Sequence, residues 1–209
     1  MKFKFEGRFV FFATNNIHKF NEARQVLAEY NIAAGMLRIK SLEIQSNSLE
    51  EIAKTSVIDA FEKCYLPIIV EDAGMFVETL NGFPGPYAAY VYKTVGNKGL
   101  LQIMREAENR NARFESAIAY HSSNLDAPMC FLGEAVGEIT REERKGNSES
   151  GFGFDPIFKP ADSEKTFAEM TIAEKNRFSH RASALRKFAE WYKKPTIKDI
   201  TRCALQPNQ

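Results

Sequence analysis

The chain has 209 residues, of which 28 are Lys or Arg and 27 are Asp or Glu, so that its formal net charge is +1. Its 44% hydrophobic and 26% charged residues are typical of a globular protein and exclude disordered, collagen-like and disulfide-scaffold classes. The length predicts a single domain over residues 1–209, with residues 195–209 as a weakly patterned C-terminal tail. The balanced charge argues against nucleic acid or an anionic membrane as a partner.

The cysteine pattern and the lack of long apolar runs predict a location. Cys64, Cys130 and Cys203 are far apart and form no C-x-x-C pair. This spacing disfavours a disulfide framework or a thiolate zinc site and favours a reducing environment. No apolar run approaches the roughly 18 residues of a membrane helix, and charges interrupt the apolar N-terminal residues, so no signal peptide is expected. We therefore expect a cytoplasmic protein.

The apolar pattern of the first half of the chain alternates between strands and helices. A β-rich run over residues 8–14 predicts a buried strand, and the spacing from Phe20 to Tyr30 predicts an amphipathic helix after it. A second helical face runs from Leu49 to Cys64. Residues 68–70 are a short apolar run that indicates another buried strand. Residues 81–86, NGFPGP, are a loop because Pro and Gly dominate them.

The second half adds a helix, two long strands and a last helix. The apolar spacing predicts a helix over residues 100–107 and strands over 113–120 and 129–139, joined by a polar hairpin connection. Residues 141–151 are charged and contain Ser and Gly, which indicates a connecting segment. Ser179 is expected to cap a helix that runs through Trp191. Strands interleaved with helices, followed by a hairpin and a helix, predict a mixed α/β fold.

The first candidate site is the segment ATNNIHK, at the junction of the first strand and the first helix. Backbone N–H groups at a helix N-terminus favour anions, and Lys19 adds a mobile positive charge. Thr14, Asn15 and Asn16 offer hydrogen bonds to a phosphate. The alternative is that the asparagines cap the helix and the lysine lies on the surface. The glycines of a P-loop are missing.

The second candidate site is the pair Glu71-Asp72, directly after the apolar run 68–70. Open α/β sheets bind ligands at the carboxyl ends of their strands. Because side chains alternate along a strand, we expect one of the two acids to face the site. Carboxylates suit Mg²⁺, particularly when substrate phosphates complete the shell. The alternative is a pair of surface acids at a strand end.

The third candidate site is the segment GFGFDP, residues 151–156. Two phenylalanines separated by Gly153 allow one ring to lie against a flat ligand, with Asp155 placed to accept a hydrogen bond from a base edge. The alternative is a turn whose aromatic side chains belong to the core.

The fourth candidate site is the segment EKNRFSHR, residues 174–181, which concentrates hydrogen-bond donors beside the predicted cap of the last helix. The donors are Lys175, Arg177, His180 and Arg181. A single histidine is more often structural than catalytic, and the alternative for the whole segment is a solvated basic helix face.

Taken together, these segments resemble a known family. The motifs ATNNIHK, EDAG, NGFPGPY, GFGFDP, FAEM and EKNRFSHR follow the order and spacing of the inosine triphosphate pyrophosphatase family, from about Phe9 to about Trp191. The resemblance implies an elongated, two-lobed α/β fold with a mixed central β-sheet and flanking helices, usually a homodimer. It implies Mg²⁺-dependent hydrolysis of ITP, dITP and XTP to the monophosphate and pyrophosphate, which removes deaminated purine nucleotides from the nucleotide pool.

The resemblance also implies roles for individual residues. Asp72 is similar to a residue that is linked to the metal and proposed as general base, and Glu43 to a second metal carboxylate. The residues similar to substrate contacts are Thr14, Asn15, Asn16, Ile17, His18, Lys19, Ala73, Phe152, Gly153, Phe154, Asp155, Lys175, His180 and Arg181. We further expect Lys19 to be largely solvent-facing until a triphosphate binds. Phe154 is expected to stack on the base, and donors from Ser179 to Arg181, side chain or backbone, are expected to reach the 6-oxygen of hypoxanthine or xanthine and so to reject ATP.

Four positions depart from the family's pattern. Asn15 stands where Gly is common, and Ala73 where many members have Ser. Ser56 and Ala89 occupy positions where some members have Lys, so no substrate role is carried over to them.

Three other functions stay open on the sequence alone. A Maf-like pyrophosphatase would act on pyrimidine or modified nucleotides with a related architecture. A nucleotide-binding regulator would bind the same ligands without turnover, although the presence of both Lys19 and Asp72 argues against it. A nucleic-acid-binding module would use the basic last helix, and a salt-dependent gel shift would reveal it.

Overall fold

The computed structural model of the protein describes residues 8–146 and 151–194. The strands in these ranges are β1 (Arg8–Ala13), β2 (Ile32–Leu37), β3 (Ile68–Val77), β4 (Pro84–Gly85), β5 (Asn111–His121), β6 (Met129–Ile139) and β7 (Phe158–Pro160). The helices are α1 (Ile17–Glu29), α2 (Leu49–Cys64), α3 (Ala88–Thr94), α4 (Gly96–Ile103), α5 (Ile172–Phe178) and α6 (His180–Lys193). Single 3-10 turns lie at Glu78–Leu80, Asp155–Ile157 and Phe167–Glu169.

The strands form one mixed sheet in the order β2-β1-β3-β5-β6-β7, with β4 also paired to β3. β1 runs parallel to β2 and β3, and the other pairs are antiparallel. β1 pairs with β3 only at Ile68 and Ile69, and β4 pairs with Met75 and Phe76. Between these contacts, residues 71–74 of β3 have a described strand neighbour on the β5 side alone. We call this interruption of the sheet the β3 notch.

Helices cover both faces of the sheet because alternate residues of each strand point to opposite sides. The residues that pack against α1 and α6 on one face include Val10, Phe12, Ile69 and Ile118. The residues that pack against α2 on the other face include Ala13, Ile68, Val70 and Ala117. A third apolar cluster fills the end of the sheet near α3 and α4, with Met75, Leu100, Phe114 and Phe158.

Side-chain caps fix where the helices begin. The side chain of Asn16 accepts hydrogen bonds from the first turn of α1, and Ser48 and Ser179 do the same for α2 and α6. Such caps satisfy backbone N–H groups that have no partner within the helix. α2 ends at Cys64, and the next residue, Tyr65, has the left-handed conformation common just past a helix end.

The predicted mixed α/β fold, with a central mixed sheet and flanking helices, is confirmed. The strand predicted over residues 68–70 is longer than expected: it continues to Val77, so Glu71 and Asp72 lie inside a strand. It continues because β5 pairs with every residue of β3, including the polar ones. The helix predicted over 100–107 lies instead at Gly96–Ile103.

β2 was not predicted, because its Ala- and Gly-containing sequence IAAGML lacks a strong strand pattern. Residues 147–150 of the connecting segment and the tail from residue 195 lie outside the described residues, and the single-domain organisation stays a prediction. In the ranges that the structure covers, no helix has both the length and the apolar character needed to span a bilayer.

Candidate active site

The candidate site forms at the β3 notch, where β1 ends and α1 and α6 begin. The Asn16 side chain accepts from the backbone N–H groups of His18 and Lys19, at 2.9 and 3.2 Å. Thr14 Oγ1 accepts from the backbone N–H of Asn16 at 3.1 Å. The polar residues of this loop therefore shape the helix N-terminus, as the capping alternative predicts. Asn15 and Ile17 are exposed on the same turn.

Lys19 is held by a buried carboxylate. Its Nζ lies 2.7 Å from Glu71 Oε2, and the Glu71 side chain is 0% exposed while that of Lys19 is 22% exposed. Burial alone would raise the pKa of Glu71, but the charges of Arg181 and Lys19 hold that pKa well below its usual range. The expectation that Lys19 is a free, solvent-facing cation is therefore wrong.

Glu71 and Lys19 begin a chain of alternating charges that runs through the interior. Arg181 Nε lies 3.1 Å from Glu71 Oε1, and Arg181 Nη1 also binds the carboxylate of Glu22. Lys175 Nζ then joins Glu22 to Asp155, at 2.8 and 2.6 Å. We call this the buried charge chain; its members in order are Lys19, Glu71, Arg181, Glu22, Lys175 and Asp155. Buried charges are tolerated when they are paired in this way.

The buried charge chain corrects the roles expected for three residues. Lys175 and Arg181 are 0% and 2% exposed and are bound to carboxylates, so they do not project into open space as substrate contacts. Asp155 accepts from Lys175 and from the backbone N–H of Phe152 at 2.9 Å, so it is not free for a base edge. Outside the buried charge chain, the side chain of Ser179 caps α6, where it accepts from the backbone N–H of Ala182.

His180 is also a buried group. Its ring stacks on Phe114, with centroids 4.7 Å apart and planes 12° apart. Burial, reinforced by the charge of Arg181, lowers the pKa of His180 well below the usual range, so the ring is neutral at pH 7. The structure thus places His180 in the core behind the site and not among groups that can reach a nucleotide directly.

The two phenylalanines of GFGFDP have different environments. Gly153, at φ 63°, turns the chain between them, a conformation that favours glycine. Phe154 is 3% exposed and packs edge-on against Tyr92, so its predicted stacking on the base is wrong in this structure. Phe152 is half-buried, and its ring stacks beside His18 at 5.4 Å. The aromatic ring at the site is therefore that of Phe152.

Asp72 is the carboxyl group of the notch that has spare hydrogen-bonding capacity. Its Oδ2 is buried and has no hydrogen-bond partner. Burial raises the pKa of Asp72 to about 7; Lys19 opposes this change, and the charges of Glu71 and Glu43 add to it. A carboxyl group with such a pKa is half-ionised at neutral pH, which suits an acid–base role.

Glu43 lies on the exposed loop between β2 and α2. Ser56, one of the positions that departs from the family's pattern, donates to the carbonyl oxygen of Leu42 at 2.7 Å. The backbone N–H of Leu42 donates to Asp59 at 2.7 Å. α2 therefore fastens this loop next to Glu43, and Ser56 has a structural role here.

The carboxylates at the site supply part of the ligand set that a hard cation such as Mg²⁺ requires. The described ranges hold no group of three or more His, Cys, Asp or Glu side chains arranged for a metal ion. Asp72, with its unpartnered buried oxygen, and Glu43, whose charge acts on it, supply two carboxylates. Mg²⁺ is commonly bound by one or two carboxylates, with water and substrate phosphates in the remaining positions.

Glu22 belongs to the site but was not predicted from the sequence. It lies on α1, is 1% exposed and binds both Lys175 and Arg181. A signal was present: Glu22 precedes the buried Val26 by four residues, so it occupies the apolar face of the helix. A charged residue in such a position indicates a buried partner.

Comparisons with known proteins agree with the motifs. A model of the Ham1 family matches residues 10–191. The chain is 48% identical over 184 residues to a dITP/XTP pyrophosphatase of Methanopyrus kandleri, covering 88% of this chain and 96% of the relative. It is 44% identical over 182 residues to the dITP/XTP pyrophosphatase of Thermococcus kodakarensis, covering 87% and 96%.

Solved structures show the same architecture. The fold matches a HAM1 protein from Coxiella burnetii with a TM-score of 0.75 and 28% identity, covering 88% of this chain and 98% of that one. It matches the Staphylococcus aureus Ham1 protein with a TM-score of 0.74 and 26% identity, covering 89% and 98%. The resemblance read from the motifs is thus confirmed over almost all of the described residues, and the chain belongs to the Ham1 family.

Proposed function

We propose that the protein is a Mg²⁺-dependent nucleoside triphosphate pyrophosphatase that hydrolyses dITP, ITP and XTP to the monophosphate and pyrophosphate. The observation that carries the proposal is the Asp72 carboxyl group, with a buried unpartnered oxygen and a pKa of about 7, at the notch beside Lys19. The substrate class comes from relatives named dITP/XTP pyrophosphatase at 48% and 44% identity.

The phosphates of the substrate bind at the N-terminus of α1. The positive end of the helix dipole favours an anion there, although the Asn16 side chain already accepts from the N–H groups of His18 and Lys19. Lys19, in the first turn, adds a cation whose position Glu71 fixes. An anchored lysine loses little side-chain entropy when the phosphate arrives, which favours binding.

Asp72 orients the attacking water and accepts its proton. A general base works best when its pKa lies near the working pH, as that of Asp72 does. The water attacks the α-phosphorus, the bond from that phosphorus to the bridging oxygen breaks, and pyrophosphate leaves.

Glu43 and Asp72 are the residues that would hold Mg²⁺. When bound, the ion supplies charge neutralisation to the phosphate oxygens. One carboxylate cannot be both a tight metal ligand and a strong base. We therefore assign the tighter metal contact to Glu43 and the proton transfer to Asp72, which would hold the ion more weakly.

The base lies against Phe152. Base–aromatic stacking binds any base, so the preference for 6-oxo purines over ATP requires hydrogen-bond donors as well. The side chains of Arg181 and Lys175 are engaged with carboxylates. We therefore assign the stacking contact to Phe152 and no single side chain to the 6-oxygen.

The remaining parts of the proposal are a homodimer, a cytoplasmic location and a role in removing deaminated purine nucleotides. They rest on the family resemblance and on the cysteine pattern. Among the alternatives, a Maf-like pyrophosphatase is not supported, because the family match and the named relatives belong to the purine group. A regulator without turnover is disfavoured because the relatives at 48% and 44% identity are named as pyrophosphatases.

The proposal is tested with a substrate panel. Pyrophosphate release is measured with Mg²⁺ for dITP, ITP, XTP, GTP, ATP, dTTP and UTP. We expect kcat/KM for the first three to exceed that for ATP by roughly 100-fold or more. Comparable values for ATP and ITP would contradict the assigned substrate class. Turnover that is unchanged by chelation of divalent ions would remove Mg²⁺ from the proposal.

A further inference from the structure

A recess in the surface lies far from the candidate active site, between α4 and the segment after β6. Its volume is about 640 Å³, which is in the range of small-ligand sites. It includes Arg110, which directly precedes β5, whereas Asp72 pairs with Ala117 in the middle of that strand. Seven residues of extended chain correspond to about 24 Å. The recess shares no residue with the candidate active site, so a ligand bound in it would be independent of the proposed function.

Two walls of this recess bring positive charges together. One wall is a single face of α4 and its end, where Lys98, Leu101 and Arg105 follow one another at helical spacing. The opposite wall is the segment after β6, with Arg141 and Lys145. Within residues 8–146 and 151–194, Lys98, Arg141 and Lys145 are in no side-chain hydrogen bond or ion pair. All three are exposed.

Arg110 lies buried between the two walls. Its guanidinium donates to the carbonyl oxygens of Ile139, Met104 and Thr140, at 2.6, 2.8 and 2.7 Å. A guanidinium has five N–H groups, so two remain after these three bonds. No carboxylate of the described ranges forms an ion pair with it. Arg110 therefore presents to the recess a fixed positive charge that no described carboxylate contacts directly, although the charge of Glu138 acts on it from the neighbouring recess.

The composition of the recess limits the size of the ligand. Its five cations face two carboxylates, those of Glu142 and Glu143. A neighbouring recess of about 710 Å³ is bordered by Glu108 and Glu138. These carboxylates interrupt the positive surface, so a long polyanion would meet repulsion on either side. A compact anion with several charges fits within the basic part.

We propose that the recess between α4 and the segment after β6 binds a small polyphosphate anion, either inorganic pyrophosphate or the phosphate tail of a nucleotide. Arg110 gives the fixed pair of N–H donors, in the planar geometry that suits phosphate oxygens. Lys98, Arg105, Arg141 and Lys145 enclose the anion from both walls. A bound anion would form the direct ion pair that Arg110 lacks among the described residues.

The test is a titration of the full chain, labelled with ¹⁵N, with sodium pyrophosphate in the absence of divalent ions and at about 0.15 M salt. Saturable shifts of the amide signals of residues 98–105 and 140–145 are expected. Shifts at residues 14–19 report the candidate active site and are scored separately. ATP is the second ligand: binding of pyrophosphate alone identifies the free anion, and binding of both identifies the shared phosphate group, so each result supports the proposal.

Two double variants, one inside the recess and one outside it, test whether the cations of the recess bind the anion. Lys98→Ala/Arg141→Ala should weaken pyrophosphate binding at the recess about ten-fold or more, because each removed cation makes a charge-assisted contact. Arg24→Ala/Lys93→Ala removes the same charges from exposed positions elsewhere and should leave binding unchanged. Arg110 is retained in both variants because its three hydrogen bonds hold the end of the sheet.

Three outcomes would overturn the proposal. The first is a titration without saturable shifts at residues 98–105 and 140–145. The second is equal weakening in both double variants, which would indicate general electrostatic attraction. The third is tighter binding of a single-stranded oligonucleotide than of pyrophosphate at the same residues, which would identify an extended polyanion as the ligand.

Discussion

Lys19 Nζ and Glu71 Oε2 are 2.7 Å apart, with the glutamate side chain 0% exposed. Their contact joins the first turn of α1 to β3 at the notch in the sheet. The lysine is therefore placed in the site before any ligand binds, and the glutamate is charged because Lys19 and Arg181 surround it. Asp72, the next residue on β3, has no such partner, and its pKa moves in the opposite direction. The adjacent carboxyl groups of Glu71 and Asp72 therefore differ in ionisation: Glu71 is charged, whereas Asp72 is partly protonated near pH 7.

Lys19→Ala is expected to lower both activity and stability. It leaves Glu71 buried with one cation fewer, which costs about 1–3 kcal/mol in the free energy of unfolding. The matched control is Lys54→Ala, which removes an exposed i,i+4 ion pair with Glu50 and should cost about 1 kcal/mol or less. Urea unfolding measures the free energy of unfolding of both variants. Equal stabilities of the two variants would show that the contact with Glu71 does not hold Lys19.

Arg181→Ala is expected to be strongly destabilising. The guanidinium joins Glu22 to Glu71 in the interior, and breaking a buried pair costs about 3–5 kcal/mol. Arg186→Ala is the control on the same helix. Its side chain is 31% exposed, contacts Glu29 at 3.5 Å and donates to the carbonyl oxygen of Asn176 at 2.8 Å, so a loss of about 1–2 kcal/mol is expected. Thermal unfolding measures the stability of the two variants. If Arg181→Ala unfolds no more readily than Arg186→Ala, the buried charge chain is not structural.

Phe152→Ala and Phe154→Ala should separate binding from folding. Loss of a stacked base costs about 1–3 kcal/mol, so the KM of Phe152→Ala for ITP should rise roughly 5- to 150-fold. Its loss of stability should be smaller than that of Phe154→Ala, because the Phe152 ring is only partly buried and contacts His18 and Lys175. Phe154 is 3% exposed, and its truncation should cost about 3–5 kcal/mol of stability. ITP kinetics and unfolding are measured for each variant. The reverse pattern would return the stacking role to Phe154.

Asp72→Asn should remove activity and raise stability at alkaline pH. The folded pKa of Asp72, about 7, lies above its unfolded value. Between about pH 4 and pH 7 the folded state therefore holds a proton that the unfolded state has lost, so stability falls as pH rises across this window and levels off above it. Because asparagine cannot ionise, the stability of Asp72→Asn does not fall with pH for this reason.

The measurement is urea unfolding of the metal-free protein at about pH 5 and pH 8. The free energy of unfolding of Asp72→Asn minus that of the unmodified protein should be larger at the higher pH by about 1 kcal/mol or more. Turnover of ITP should fall at least about 10²–10⁴-fold. A stability difference that does not change with pH would contradict the raised pKa.

The elements with strong local patterns were predictable. The strand at residues 8–13, the helix at Leu49–Cys64 and the two strands of the β5–β6 hairpin follow from apolar spacing that each segment carries by itself. The extent of β3 was not predictable in this way. Glu71 and Asp72 do not favour a strand, and only pairing with β5, more than 30 residues away in the chain, keeps them in one.

The site was located by its motifs, but the partners within it were not. Lys175 binds Glu22 across 153 positions of sequence, and no local pattern specifies such a contact. The motif GFGFDP predicted a stacking ring, but the sequence-based choice of Phe154 over Phe152 was wrong. The turn at Gly153 decides it, because the turn sends Phe154 into the core and leaves Phe152 beside His18.

In the proposed mechanism, water attacks the α-phosphorus of a deaminated purine nucleotide with Asp72 as the base. Hydrolysis of ITP in ¹⁸O-labelled water, followed by mass spectrometry of the products, shows which phosphorus is attacked. We expect inosine monophosphate that carries one ¹⁸O, unlabelled pyrophosphate, and neither product in Asp72→Asn beyond the uncatalysed rate. Label in pyrophosphate, or release of orthophosphate and inosine diphosphate, would place the attack on another phosphorus and contradict this mechanism.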